Sequence, residues 1–345
     1  MESLICQSLS EPWREAVSSG KTWKELKAPS DDPAGRWSKG DQVSFGITIV
    51  GGGYEYGAYN LSTAQPIHAA VEERPVGCSG FICQYNGYRA LRLSGVPFHP
   101  GSRADLPSGP EECRFYCQDP RKSQSLLICD PLAQIRLKHF RWSAFYNAAP
   151  FEKEGHLLWV PVIVRGSTTV LPHFAQSLSP ETAEDLTGLL RRSDRTVVFF
   201  NGLHAGATVN HLHVQAIFCR HPLAIEQAPT VSYRGFSLLE GYPAEALCFS
   251  VDTQAEEIIR FIGRMERMKI PFNLIGTGQR IFILPRNIEH EVVAEFPGGV
   301  LGSMELAGKI VTADREVYHS IDTARIERGF KKTTLPIREL IDHWW

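Results

Sequence analysis

The sequence predicts an α+β protein in which antiparallel hairpins pack against amphipathic helices. Three kinds of stretch carry that expectation. Asn201 to Phe218 opens with a glycine-rich turn and runs into His211-Leu212-His213-Val214-Gln215, where polar and apolar residues alternate as on a half-buried strand. Ser179 to Arg192 and Thr253 to Met265 have the period and end signals of helices with one buried face. Phe272 to Ile275 and Arg280 to Leu284 flank Gly276-Thr277-Gly278-Gln279 as the arms of a hairpin.

The 345 residues allow one large or two medium domains with ample core. Charged residues make up 21% and apolar residues 43%, and the net charge of −2 gives no basic field for nucleic acid. A phosphate ligand must then be held by local groups. The opening MESLICQSLSEPWREAV lacks a basic segment followed by an apolar run, so a cytoplasmic protein is expected. No apolar run approaches the length that spans a bilayer. The cysteines (Cys6, Cys78, Cys83, Cys113, Cys117, Cys129, Cys219 and Cys248) are expected as reduced thiols. Neither close pair, Cys78/Cys83 or Cys113/Cys117, has the two-residue gap of a zinc knuckle, so no metal and no cofactor is expected.

Residues 1–40 read as short helical pieces (Pro12 to Ser18, Thr22 to Leu26) followed by turns. Asp41 to Val50 is a strand broken by Gly51-Gly52-Gly53, which lacks the Gly-Lys-Ser/Thr of a phosphate loop and reads as a hairpin or bulge. Tyr54, Tyr56 and Tyr59 follow as strand aromatics, with contact to a ligand the alternative. Gly77 to Leu93 holds short strands, and Pro97 to Glu112 marks a boundary or a flap over a site. Leu126 to Cys129 reads as a strand. Ile135 to Phe145 carries Arg136, Lys138, His139 and Arg141, either phosphate ligands or a solvated face. After the turn Asn147-Ala148-Ala149-Pro150, His156 to Val164 is a buried strand. Ser179 caps the first helix with Pro180 at its first position, and Thr196 to Phe200 is the strand that feeds the glycine-rich turn. Thr253 and Glu256 fit a capping box. Ile283-Leu284-Pro285 echoes Trp159-Val160-Pro161, a hint of internal duplication. Glu305 to His319 reads as a last helix, with basic residues beyond.

The chemistry concentrates at 201–218. On a strand His211, His213, Gln215 and Ile217 share one face while Leu212, Val214, Ala216 and Phe218 line the other. A helix would set neighbours two apart at about 200° around its axis, so only a strand gathers the polar three. A neutral imidazole can attack phosphorus. Gly202, Gly206, Ala207 and Thr208 let backbone N–H groups approach an anion. The competing reading is a pair of hydrogen-bonded core histidines.

His211-Leu212-His213-Val214-Gln215 resembles the His-x-His-x-Gln signature of the nucleotidyltransferase branch of the histidine-triad superfamily. That branch includes galactose-1-phosphate uridylyltransferase and diadenosine tetraphosphate phosphorylase. The chain is most similar to the GDP-D-glucose and GDP-L-galactose phosphorylases within it. The likeness extends through Asn147 to Glu152, Gly155-His156-Leu157-Leu158, Val160-Pro161, Leu171-Pro172, Asn201 to Gln215, Ile270 to Leu274 and Arg280 to Pro285, and covers about 126–320. Val214 stands where an aromatic residue is common, and His173 where a glutamine is usual. In the uridylyltransferases the first histidine of the motif can ligate a structural zinc. The resemblance without the expected cysteine pair speaks against that role for His211.

What the resemblance implies is a histidine-triad-like fold of two related units sharing an antiparallel sheet. It suggests a catalytic unit at 126–225 and a degenerate second unit at 226–345, while residues 1–125, outside the likeness and of no assigned role, are expected to pack on the core. His213 would be the nucleophile, with His211 and Gln215 beside it. Asn147, Asn201, Gly202, Gly206, Ala207, Thr208 and Arg280 would hold a nucleoside diphosphate-sugar. The expected reaction is GDP-hexose and phosphate to GDP and hexose 1-phosphate through a nucleotidyl-histidine, by a protein that can form a homodimer. Two alternatives stand beside it: transfer to a sugar phosphate or other small metabolite, and nucleotide binding without catalysis.

Overall fold

The computed structural model describes residues 4–28, 31–32, 34–77, 80–91, 106, 109–115, 117, 131–147, 150–165, 168–192, 196–218, 221–296 and 300–344. The expected strand at 126–129, most of the 97–112 stretch, and Ala148 and Ala149 lie outside them.

Helix α1 (Leu4–Ser18) leads into strands β1 (Lys24–Lys27), β2 (Gln42–Val50), β3 (Gly53–Asn60) and β4 (Gln65–Pro66), which form one antiparallel sheet. The Thr22 to Leu26 segment is therefore not helical. Lys24–Lys27 pairs with Gln42–Phe45, and the Trp23 ring fills the space above Gly46 and Gly57, where an added Cβ would meet it at 2.8 and 2.6 Å. Gly51 and Gly52, at φ 58° and 84°, make the two-residue turn between β2 and β3, so the triple glycine is a hairpin turn. The strand tyrosines serve packing: Tyr54 lies against Trp13, Tyr56 stacks with Phe45 and Tyr88, and Tyr59 is exposed.

Strands β5 (Val71–Val76) and β6 (Phe81–Asn86) begin a second sheet. The large sheet follows. Its first part is β7 (Ala133–Arg136), β8 (Arg141–Tyr146), β9 (His156–Arg165), β10 (Thr168–Val170), α2 (Pro180–Leu190), β11 (Thr196–Asn201) and β12 (Val214–Phe218). A short α3 (Ala224–Gln227) leads to β13 (Thr230–Tyr233), β14 (Phe236–Leu239), β15 (Leu247–Ser250), α4 (Ala255–Arg267), β16 (Phe272–Thr277) and β17 (Arg280–Pro285). Among the described residues this sheet has 11 strands in the order β13-β14-β15-β17-β16-β11-β12-β9-β8-β7, with β10 on β9.

That order is a mirror about the antiparallel β11–β16 pair, where Asn201 faces Asn273. β7, β8, β9, α2, β11 and β12 correspond in chain order to β13, β14, β15, α4, β16 and β17. The counterpart of β12, which follows the two histidines, is thus β17, not the strand at Trp159-Val160-Pro161 that β17 echoes in sequence. β17 places Ile281, Phe282, Ile283 and Leu284, all fully buried, where the first half has its polar alternation.

One face of the sheet is covered by helices. Leu186 and Leu190 of α2 and Ile258, Phe261 and Ile262 of α4 pack with Val198, Val214, Ala216, Leu274 and Ile283 in one buried cluster. α2 starts as its sequence signals, with Ser179 Oγ accepting from Thr182 N–H at 3.3 Å. α4 starts a residue later than the capping-box reading, with Gln254 as its N-cap and no side-chain bond there. The basic run at 136–141 turns the β7–β8 hairpin: Lys138 and His139 both reach Glu184 of α2, at 2.6 and 2.7 Å, and form a solvated ionic face.

The chain closes with α5 (Ser303–Leu306), β18 (Lys309–Thr312), α6 (Arg315–Ser320), α7 (Thr323–Thr333) and α8 (Ile337–Trp344). The single helix expected at Glu305 to His319 is replaced by helix, strand and helix. Gly308 at φ 110° ends α5, and the β-branched Ile310-Val311-Thr312 pairs in parallel with β6 from the other end of the chain. No described helix is long and apolar enough to cross a membrane.

Candidate active site

On the sheet face opposite the helices lies a cavity of about 1210 Å³. Three parts of the chain wall it: the β8–β12 strands and their loops, Arg36, Tyr85 and Arg89 from the first 90 residues, and Gly302, Glu305 and Arg315 from the C-terminal stretch. His213, Gln215, Asn147, Asn201, Gly206, Ala207 and Thr208 all line it, as the sequence leads one to expect. His211, Gly202 and Arg280 do not.

His213 stands just before β12, 6% exposed. Its Nδ1 is 2.7 Å from the carbonyl oxygen of His211. A carbonyl only accepts, so Nδ1 carries the proton and Nε2 keeps the lone pair. Burial pushes the imidazole down to about 4, against the raising effect of that hydrogen bond. At neutral pH the ring is uncharged and its Nε2 lone pair is available.

The backbone of His213 is clamped by Gln176, a residue the sequence reading missed. Gln176 Oε1 accepts from His213 N–H at 2.9 Å, while its Nε2 donates to the carbonyls of Asn201 (2.8 Å) and His213 (3.1 Å). Its own N–H donates to Asn210 Oδ1 at 2.9 Å. One side chain, 1% exposed, thus ties the end of β11 to the start of β12. Gln176→Ala would leave buried backbone groups unsatisfied, and a loss on the order of 3 kcal/mol is expected. Urea unfolding measures it, and an unchanged midpoint would contradict the clamp.

The glycine-rich turn does not act as the anion cradle it suggests. Gly206 N–H donates to the Glu291 carboxylate at 3.1 Å, and Ala207 N–H points back to the Gly202 carbonyl at 3.3 Å. The small residues answer close approach instead. A Cβ on Gly206 (φ 96°) would meet Gly302 Cα at 2.8 Å, and one on Gly202 would meet the Phe272 carbonyl at 2.9 Å. Asn201 Oδ1 accepts from Ser303 N–H, Ser303 Oγ and Asn273 Nδ2 at 2.7 to 2.9 Å, so its amino end is the one left for a ligand.

Arg280 donates to the Ala228 carbonyl at 3.1 Å, away from the cavity. The second half reaches the site through Arg286 instead. This fully buried residue donates to Asn273 Oδ1 and the Leu301 carbonyl, both at 2.7 Å, and so braces Asn201 and the 301–303 turn. An arginine directly after the apolar run Ile281 to Pro285 was the available signal.

His211 turns away from the cavity, which corrects its expected place on one face with His213 and Gln215. Its Nδ1 lies 3.4 Å from Cys113 Sγ, while Cys117 Sγ lies 3.5 Å from His173 Nδ1. The ligand atoms of these four residues fall within 4.8 Å of one another. His211 Nε2 is buried without a hydrogen-bond partner, and burial, with His173 and His213 adding to it, pushes the ring down to about 3. Two thiols and two imidazoles, three of the four residues buried, fit a tetrahedral zinc-type ion. The expectation that no metal binds here rested on cysteine spacing. The fold brings Cys113 and Cys117 together across three intervening residues, with histidines from two other segments.

The architecture is shared with a solved structure. It superposes on yeast Ap4A phosphorylase Apa2 in complex with Ap4A with a TM-score of 0.56, covering 97% of this chain and 99% of that one at 13% identity. The complex of the same enzyme with AMP gives 0.52.

Residues 225–339 match the family described as GDPGP1-like, C-terminal domain. Curated relatives include GDP-L-galactose phosphorylase 1 of Arabidopsis thaliana, 26% identical over 270 residues, which are 70% of this chain and 59% of the relative. GDP-D-glucose phosphorylase 1 of Danio rerio is 25% identical over 57% of this chain and 62% of its own length. The match thus spans about three fifths of the length of these relatives.

Proposed function

We propose that the protein is a nucleotidyl-transferring phosphorylase that converts a GDP-hexose and phosphate to GDP and hexose 1-phosphate. The observation that carries this reading is His213, whose Nδ1–H is held by the His211 carbonyl at 2.7 Å and whose Nε2 lone pair is thereby free for attack in the cavity. The guanine base and the hexose are suggested by the names of the relatives.

In the first step Nε2 attacks the nucleotide-side phosphorus. The bond from that phosphorus to the bridging oxygen breaks, and hexose 1-phosphate leaves with the electron pair, so guanosine monophosphate stays on His213. In the second step an oxygen of inorganic phosphate attacks the same phosphorus. The phosphorus–nitrogen bond breaks, GDP leaves and His213 regains its lone pair. Splitting the displacement in two is what a nucleophilic side chain supplies. Alignment and neutralisation of the phosphoryl oxygens supply the rest, from Gln215, Asn147, Asn201 and Thr208 on the cavity wall.

Incubation with a panel of nucleoside diphosphate-sugars, with and without phosphate, tests the reading. Phosphate-dependent release of GDP from a GDP-hexose is expected. Turnover only with a sugar phosphate as acceptor would make the protein a transferase, and binding without turnover would overturn both.

A further inference from the structure

We propose that His156 is the positioning residue that orients Gln215, holding its side-chain amide so that the NH2 end, not the carbonyl end, meets the transferring phosphoryl group. This deepens the proposed phosphorylase reaction and rests on it for its kinetic part.

His156 is the first residue of β9, 1% exposed, on the sheet face that carries Gln215. Its ring is held by contacts on both nitrogens. The Phe151 N–H lies 3.4 Å from Nδ1, and the Gln215 Oε1 lies 2.9 Å from Nε2. A peptide N–H can only donate, so Nδ1 accepts and carries no proton. In a neutral imidazole the proton is then on Nε2, where it meets a carbonyl oxygen. The two bonds require the same tautomer. The Phe151 ring, 4.4 Å from the imidazole and nearly edge-on, keeps it from rotating.

Asn147 closes the triangle, with its Nδ2 2.9 Å from the same Nε2 and 3.5 Å from Gln215 Oε1. The opposite tautomer would let Nε2 accept from Asn147. It would also turn Nδ1–H against the Phe151 N–H and set a lone pair against the Gln215 oxygen. The Phe151 and Gln215 contacts both require Nε2–H and only the Asn147 contact opposes it, so Nε2–H prevails; the Asn147 amide then turns its oxygen to that proton and gives up its 3.5 Å bond to Gln215 Oε1.

The consequence falls on Gln215. The two ends of an amide are nearly alike in shape but opposite in hydrogen bonding. An oxygen aimed at a phosphoryl group repels it, while an NH2 donates to it. With Oε1 engaged by His156, the NH2 of Gln215 is the end presented beside His213. A donor fixed before substrate arrives requires no reorganisation during transfer.

The test compares three variants and one spectrum. His156→Gln can keep an amide NH near the Nε2 position, whereas His156→Asn keeps an acceptor for Phe151 N–H but loses the donor to Gln215. His156→Asn is expected to lower kcat about 100-fold, with KM for the GDP-hexose changed little. His156→Gln should recover most of that loss. Adding Gln215→Ala to His156→Asn should cost little more, because both act through one amide. Nitrogen-15 NMR of the wild-type protein without substrate should find the His156 proton on Nε2.

A proton on Nδ1, equal losses in the asparagine and glutamine variants, or fully additive effects would overturn the inference. A wild-type protein that turns over no GDP-hexose would overturn the proposed function instead. The tautomer, read without substrate, would still decide the role of His156, as it would if a variant failed to fold.

Discussion

His213→Ala is expected to lower turnover by about 10⁴-fold or more, the scale on which removing a covalent nucleophile acts, while leaving the fold in place. Among the described residues the side chain makes a hydrogen bond to the His211 carbonyl and a ring contact to Phe115 at 5.2 Å. The bonds that position the loop run from the backbone of residue 213 to Gln176, and alanine keeps them. Loss of activity with an unchanged unfolding curve would therefore report chemistry rather than collapse. Omitting phosphate from the wild-type reaction should trap the intermediate, visible as a mass increase of one guanylyl group that His213→Ala lacks. An alanine variant that still turns over would remove His213 from the mechanism and leave the cavity as a binding site only.

What the sequence discloses and what it hides follow from the range of the forces involved. The alternation holds from Val214 onward because strand geometry is local: Val214 and Ala216 lie in the helix-side core while Gln215 lines the cavity. It fails at 211–213, which precede the strand, so His213 lines the cavity and His211 does not. The ends of α2 are legible for the same reason, since a cap is satisfied within one turn. The glycines mislead because small residues answer two demands, an approaching anion or an approaching backbone. At Gly206 the neighbour is Gly302, nearly a hundred residues on. β18 is hidden because its only strand partner among the described residues, β6, lies more than 200 residues earlier. Gln176 and His156 carry no local signature; their roles exist only once β9, β11 and β12 are side by side. The charged residue on β17 drew attention to Arg280, yet strand alternation alone does not say which end of a strand meets a site.

Removing metal, or replacing Cys113 by serine, is expected to give the second large effect, on stability rather than on chemistry. Cys113 and Cys117 precede the large sheet, His173 follows β10, and His211 leads into β12. An ion held by all four would fasten three separate segments at the base of the catalytic loop. Its loss should destabilise the fold by on the order of 5 kcal/mol, with His213 affected only through the mobility of the loop it shares with His211. Elemental analysis of the purified protein should find one equivalent of zinc, and cobalt in its place should give the visible absorption of a tetrahedral thiolate site. Cys113→Ser should lose both signals and unfold at a lower temperature. If the protein carries no metal and the serine variant is as stable as the wild type, the four side chains are a hydrogen-bonded cluster. Cys113 and Cys117 would then be core thiols hydrogen-bonded to the two imidazoles.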